Sequence, residues 1–409
     1  MASNAKTCAL LSKLSAALAS FSLSRPLSTS SAPADASPLA SASPMPWEEP
    51  VTRARRPFRS KRPRDIASSI FISTIIAAPV YVIDNIRCQE RTQKMDKPPI
   101  LQIGPYPQWD QEPLDATFQV HRYFEAADKE KLLAEVGPSI RAIATRGELG
   151  ANRAVIEACP KLEVISVYGV GFDAVDLQAC RERGIRVTNT PDVLTNDVAD
   201  LGIAMMLCQS RGMIGAETWV RDGSWAQKGL YPLKRRVWGR RAGVLGLGRI
   251  GFEVAKRLKG FDMQIAYSDV EAKPYASDMT FVADPVELAK QSDFLFVTLA
   301  ASAATRHIVG HKVIEALGPE GMLINISRAS NIDEEALLGA LETGKLGSAA
   351  LDVFEGEPKL NPRFLALDNV LLQPHHASGT IETRKAMGQL VRDNLTAHFA
   401  GQALPTPVL

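Results

Sequence analysis

Three glycines at Gly246, Gly248 and Gly251 form a G-x-G-x-x-G turn, and Asp269 follows eighteen residues after the last of them. An apolar run, Arg241–Leu245, precedes the turn. A helix-like stretch, Ile250–Lys259, follows it, and a second apolar run, Gln264–Ser268, leads to Asp269. Alone such a turn occurs in many Gly-rich loops. In strand–turn–helix–strand–acid order it has the chemistry of a dinucleotide site. Gly246 permits the tight turn and Gly248 lets a pyrophosphate approach the backbone. Gly251 lets the helix press on the strand. The first helical turn around Arg249 and Ile250 offers free N–H groups and a partial positive charge to phosphates. Asp269 can accept from both ribose hydroxyls and repels a 2′-phosphate, so the site is expected to take NAD, with NADP as the alternative. A P-loop is excluded, because Gly344-Lys345 is followed by Leu346 where that motif needs Ser or Thr.

The turn requires a parallel sheet around it. Strands are expected at Arg241–Leu245, Gln264–Ser268, Phe294–Leu299, Met322–Ile326, Ser348–Asp352 and Val370–Leu372. Helices are expected at Ile250–Lys259, Pro285–Gln291, Lys312–Ala316 and Glu334–Thr343. Upstream, Ile140–Thr145, Val164–Tyr168 and Ile185–Thr188 read as short strands. Asn152–Ala158 and Asp176–Arg183 read as helices, the second stopped by Gly184. A long apolar helix, Asp197–Arg211, marks a domain junction, and a polar stretch, Arg221–Arg241, follows it. The fold class is therefore α/β with two Rossmann-like domains. A flavodoxin-like substrate domain takes residues 95–192 plus 381–409, the last helix Glu382–Ala400 packing back on it. A doubly wound NAD(P)-binding domain takes residues 193–380.

Residues 1–94 read as an extension outside the chemistry. They are Ser/Ala/Pro-rich, with 13 Lys/Arg against 6 Asp/Glu, whereas the other 315 residues hold 34 against 39. The globular part is mildly acidic, which argues against a nucleic-acid partner. Ile66–Ile83 is eighteen residues without a charge, the lower end of a membrane span. A membrane role depends on that segment, or the extension targets an organelle. Otherwise a cytoplasmic location is expected. Five cysteines, Cys8, Cys88, Cys159, Cys180 and Cys208, show no C-x-x-C spacing, so no metal site and no disulfide frame are expected.

Four ordered blocks carry a family resemblance. They are Val187-Thr-Asn-Thr-Pro-Asp-Val-Leu-Thr-Asn-Asp-Val-Ala-Asp200, Gly246–Gly251, Leu323-Ile-Asn-Ile-Ser-Arg328, and Leu351-Asp-Val-Phe-Glu-Gly-Glu357-Pro with Pro374-His375-His-Ala-Ser-Gly-Thr380. Over roughly residues 100–409 the chain resembles the D-isomer-specific 2-hydroxyacid dehydrogenases, and within them the glyoxylate/hydroxypyruvate reductases. The resemblance implies an NAD(P)-dependent reduction of a small 2-keto acid by a homodimer. It places Arg328 on the substrate carboxylate and keto oxygen, Glu357 as partner of the catalytic histidine, and His375 as proton donor. It places Val170 and Gly171 on the substrate carboxylate through backbone N–H groups. Thr195, Leu299, Ile326 and Asp352 would line the cofactor.

These side-chain types suit the reaction. An imidazole holds and releases a proton near neutral pH. A carboxylate orients it and favours imidazolium. A guanidinium binds a carboxylate with two prongs and polarises a carbonyl. Simpler roles exist for each: Arg328 as a surface ion-pair partner, Glu357 as a turn residue, His375-His376 as a metal pair. Adjacent histidines on extended chain point apart, which disfavours the last. His121, His307, His311 and His398 are expected to face solvent.

The chain departs from its relatives at Ala329 and Ala377, where glycine is usual, and within Leu299-Ala-Ala-Ser. It also reads Tyr267-Ser268-Asp269-Val270 where the reductase subgroup often has a basic residue, which favours NADH. Related non-enzymatic corepressors can keep the same three residues but carry longer tails. Formate dehydrogenases pair their histidine with Gln, unlike Glu357, and phosphoglycerate dehydrogenases commonly add a regulatory domain.

Overall fold

The computed structural model describes residues 97–409. The expectations for residues 1–94, the Ile66–Ile83 segment included, lie outside the described residues. Among the described residues no helix is long and apolar enough to cross a membrane.

Five short strands come first: β1 Pro99–Gln102, β2 Gln119–Arg122, β3 Ala142–Arg146, β4 Val164–Tyr168 and β5 Arg186–Thr188. They pair in parallel in the order β2-β1-β3-β4-β5. Seven more follow: β6 Arg241–Leu245, β7 Gln264–Ser268, β8 Thr280–Phe281, β9 Phe294–Val297, β10 Met322–Asn325, β11 Ser348–Leu351 and β12 Val370–Leu372. These are also parallel, in the order β12-β11-β10-β9-β6-β7-β8. The first order is flavodoxin-like and the second is the doubly wound dinucleotide order, extended by one strand. Every residue of β4, β9 and β10 is buried. Helices on both faces explain why these strands read as unbroken apolar runs.

Each sheet has one place where successive crossovers leave in opposite directions. In the first it lies between β1 and β3, in the second between β6 and β9. Ligands of such sheets bind at the carboxyl ends of the strands beside that point. Three strands stop short of their expected ends. β9 ends at Val297, β10 at Asn325 and β11 at Leu351. Leu299, Ile326 and Asp352 thus lie beyond the ladder, in the loops where the site is built.

The helix expected from Asp197 begins at Thr195 and runs to Arg211. Thr383 Oγ1 donates to Asp197 Oδ2 at 2.5 Å, tying this helix to the last one. The stretch expected to be polar contains a helix at Ser224–Lys228, preceded by another at Met213–Arg221. The last helix, Ile381–Phe399, packs on β4 and on the helix Gln108–Thr117. Arg392 Nη1 donates to the buried Asp110 Oδ1 at 2.8 Å across that contact. Val408 N then donates to Val187 O at 2.8 Å, and Pro407 bridges Thr188.

The expectation that His398 faces solvent is corrected. Only 8% of His398 is exposed, and its Nε2 lies 2.7 Å from Glu163 Oε2. Nδ1 contacts Arg186 Nη2. An amphipathic helix end docks there, so the polar ring is covered together with Phe399. In His121, too, Nε2 is buried and without a partner among the described residues. Burial pushes the thiols of Cys159 and Cys180 up to about 11 each. Both remain protonated at neutral pH and serve as small apolar core residues.

Candidate active site

Gly246 closes β6 with φ +96°, a conformation that favours glycine. A Cβ there would lie 2.9 Å from Leu299 N. A Cβ on Gly251 would stand 2.1 Å from Gly246 O, so helix Arg249–Lys259 presses directly on the turn. A Cβ on Gly248, by contrast, would meet nothing within 4 Å. That open space lies at the start of the helix, where no side chain caps the backbone. The first-turn N–H groups of Arg249, Ile250 and Gly251 have no partner inside the helix. This cradle fits a pyrophosphate. The Arg249 side chain turns away, its Nε 2.9 Å from Asp192 Oδ1 on the surface.

Asp269 sits at the end of β7 as the spacing requires. Its Oδ2 accepts from Leu247 N at 2.9 Å, and its Oδ1 accepts from Val270 N at 2.8 Å. Lys273 Nζ lies 3.1 Å from Oδ1, a partner the sequence reading missed. A hydrogen bond to Asp269 raises the Lys273 pKa, and the ammonium stands beside the carboxylate expected to repel a 2′-phosphate.

The loop after β12 carries His375, whose φ is +51°. Asp352 holds that loop. It accepts from His376 N at 2.6 Å and from Ala377 N at 2.9 Å. Its carboxylate is buried, which raises its pKa against the pull of those N–H groups. Both Asp352 oxygens are thus engaged by backbone. His375 Nδ1 lies 2.7 Å from Glu357 Oε2. The carboxylate accepts, so Nδ1 bears that proton and Nε2 occupies the opposite side of the ring. Glu357 Oε1 accepts from Phe354 N at 2.8 Å. Burial alone would raise the pKa of Glu357. The hydrogen bond and charge of His375, with help from Phe354 N and the nearby Arg328, outweigh burial and hold it below the ordinary carboxylate value.

Arg328 follows β10 and reaches the five-stranded sheet. Its Nε donates to Asp173 Oδ1 at 3.1 Å, and Nη1 donates to Ser327 O at 2.9 Å. A Cβ on Gly171 would lie 1.6 Å from Arg328 Nη2, and one on Gly147 would lie 3.5 Å from it. Val170 O accepts from Asn189 Nδ2 at 2.8 Å, which orients the neighbouring loop. The structure therefore brings Arg328, Gly171, Glu357 and His375 to one cleft at the carboxyl ends of both sheets. Asp173 was missed, because nothing in Gly-Phe-Asp marks it without the distant arginine.

The remaining cofactor-lining expectations fall less simply. Leu299 packs on Gly246, in reach of the turn. Thr195 is buried at the first turn of its helix. Ile326 is buried, with its Cδ1 against Gly202 of the long helix. It has the place of a core residue next to the site. No group of three or more metal-ligand side chains occurs among the described residues.

Gly171→Ala is expected to push Arg328 aside and to lower kcat/KM roughly 10²-fold, the effect of about 1 Å of misplacement. The melting temperature should fall little, because the crowding atom is the end of a flexible side chain. Wild-type kinetics in a folded Gly171→Ala protein would contradict the placement of Arg328.

Comparison with known proteins identifies the family of the chain. The family model for the NAD-binding domain of D-isomer-specific 2-hydroxyacid dehydrogenases matches residues 203–377. Hydroxyphenylpyruvate reductase of Plectranthus scutellarioides is 45% identical over 310 residues, 76% of this chain and 98% of that protein. A solved 2-hydroxyacid dehydrogenase from Ketogulonicigenium vulgare Y25 is 79% identical, covering 77% of this chain and 99% of that one, with a TM-score of 0.73. The NADPH-dependent glyoxylate/hydroxypyruvate reductase of Sinorhizobium meliloti, in complex with NADP and malonate, is 40% identical. It covers 76% and 97% of the two chains, with a TM-score of 0.72. The chain belongs to the D-isomer-specific 2-hydroxyacid dehydrogenase family.

Proposed function

We propose that the chain is an NAD(P)-dependent reductase of the glyoxylate/hydroxypyruvate type, converting a small 2-keto acid to the D-2-hydroxy acid. The observation that carries this reading is the 2.7 Å His375–Glu357 pair facing the cleft that Arg328 and Gly171 close from the other side. Bound NAD(P)H supplies the hydride for the keto carbon. His375 Nε2–H gives the proton to the developing alkoxide, and Glu357 stabilises the imidazolium and fixes the ring. Arg328 takes the substrate carboxylate and polarises the carbonyl. The N–H groups of Val170 and Gly171 hold the same carboxylate. In the oxidative direction His375 is the base.

Gly246, Gly248, Arg249, Ile250 and Gly251 hold the pyrophosphate through backbone, and Asp269 holds the adenosine ribose. Thr195, Leu299, Ile326 and Asp352 shape the floor of that cleft, Asp352 by bracing the histidine loop. Residues 95–192 with 381–409 act as the substrate domain and 193–380 as the cofactor domain. The relatives named for hydroxyphenylpyruvate and for glyoxylate and hydroxypyruvate support the substrate class. Met213, Ile214, Trp225, Leu230, Leu233 and Trp238 are exposed within one stretch, Leu233 at 97%. Such a patch supports a homodimer through this segment and the helix before it. A cytoplasmic location is proposed for the working enzyme.

Oxidation of NADH or NADPH across a panel of 2-keto acids, glyoxylate and hydroxypyruvate included, tests the reading. No oxidation with any of them would overturn it. A separate test concerns the cofactor. Asp269→Ser leaves Lys273 beside the ribose without its carboxylate, and is expected to move the NADH:NADPH ratio of kcat/KM toward NADPH by about tenfold or more, the scale of one charge-assisted interaction. An unchanged ratio would remove Asp269 from cofactor choice.

A further inference from the structure

A second cavity adjoins the cleft, and none of the catalytic assignments uses it. Its volume is about 340 Å³, and Tyr106, Trp109, Arg146, Tyr168, His376 and Arg384 line it. That is room for about ten waters at roughly 30 Å³ each, far more than a two- or three-carbon keto acid needs. The cavity lies at the carboxyl ends of β1 and β3, the reversal point of the first sheet, where such sheets bind ligands. The start of the last helix closes it through Thr380, Ile381 and Arg384.

The cavity begins one residue from the catalytic groups on both sides. His376 follows His375. Arg146 precedes Gly147, whose Cβ would be 3.5 Å from Arg328 Nη2. A substrate with its carboxylate on Arg328 would reach this space by extending past Gly147.

The charges there do not balance. Arg146 Nε pairs with Glu148 Oε1 at 2.6 Å. Arg384 is partly buried, and its guanidinium meets no carboxylate within 4 Å and no hydrogen-bond acceptor among the described residues. Its backbone carbonyl is engaged, accepting from Tyr168 Oη at 2.6 Å. Burial, with the neighbouring Arg146, lowers the Arg384 pKa against the opposing pull of Tyr168, Glu148 and Asp352. Tyr106 Oη donates to Thr145 O at 3.1 Å, and the Tyr106 and Tyr168 rings pack tilted at 39° with centroids 4.8 Å apart. Apolar walls from Pro105, Pro107 and Trp109 suit a short methylene chain.

We propose that this cavity is a second anion subsite of the substrate pocket, in which Arg384, assisted by Arg146, holds the distal carboxylate of an extended 2-keto acid. The proposal rests on the reductase reading above, and it assigns the specificity of that site.

The test compares acids of equal chain length that differ only in the far group: 2-oxoglutarate against 2-oxopentanoate, and 2-oxoadipate against 2-oxohexanoate, each with NADH and NADPH. At least one dicarboxylate is expected to exceed its neutral counterpart in kcat/KM by tenfold or more. Arg384→Gln should bring that ratio to about one. Arg146→Gln should reduce it by a smaller factor, and it provides the check if Arg384→Gln fails to fold. Turnover of glyoxylate together with ratios near one in the wild type would overturn the subsite and leave the reductase reading standing. The same holds for a wild-type ratio that survives both substitutions. Absence of turnover with every acid would overturn the reductase reading itself, and the subsite with it.

Discussion

His375→Gln is expected to lower kcat by roughly 10²–10⁴-fold, the usual contribution of a positioned general acid. Glutamine keeps the approximate size and a hydrogen-bonding group toward Glu357, but it cannot give up a proton near neutral pH. The dinucleotide cradle lies at Gly246–Gly251, in a different loop of the sheet. NADH affinity, read by quenching of protein fluorescence, should therefore stay within about twofold of wild type. Turnover within a few-fold of wild type would refute the proton-donor role, whatever the family. Loss of NADH binding together with turnover would mean that the histidine loop supports the cofactor instead. Glu357 adds a pH limb. Its folded-state pKa is depressed, so its stabilising interaction is complete above the ordinary carboxylate value and is lost as pH falls through the lowered one.

Arg328→Gln should reduce kcat/KM by about 10²–10³-fold, the scale of removing one charge-stabilising donor group. The split between constants is informative. Carboxylate binding is present in the ground state, so its loss raises KM. Carbonyl polarisation grows toward the transition state, so its loss lowers kcat. Both are expected to change, and exogenous guanidinium should restore part of the rate. Arg328→Lys should recover less than its charge suggests, since an ammonium cannot make a two-pronged contact. Unaltered constants in Arg328→Gln would reduce this residue to the surface partner of Asp173 that it also is, at 3.1 Å.

The readable part of this chain is the part whose physics is local. The Gly246–Gly251 turn was legible because a φ of +96° and a 2.1 Å clash distance leave few residues a choice. The two-residue edge strand β8, Thr280–Phe281, is too short to leave a pattern, but the other six of the seven strands of the second sheet were legible as apolar runs, to within one or two residues. Their ends were not, because Leu299, Ile326 and Asp352 continue the apolar or extended pattern after pairing stops. The helix Gln108–Thr117 was missed for a related reason. It carries Pro113 internally and buries only Asp110 and Leu114, so it shows no apolar stripe. Asp110 is buried because Arg392 and Tyr168 reach it from far along the chain. Asp173 and Arg384 share that character: each has meaning only through a neighbour that folding supplies.

The five-stranded sheet is assembled from both ends of the described chain, β1–β5 at one end and Ile381–Leu409 at the other. During synthesis, β4 and the helix Gln108–Thr117 emerge long before the helix that covers them. The seven-stranded sheet can complete its pairing while the earlier one still shows a greasy flank to the ribosome exit and its chaperones. Messages cut short before Ile381 should therefore yield a half-clothed product marked for degradation.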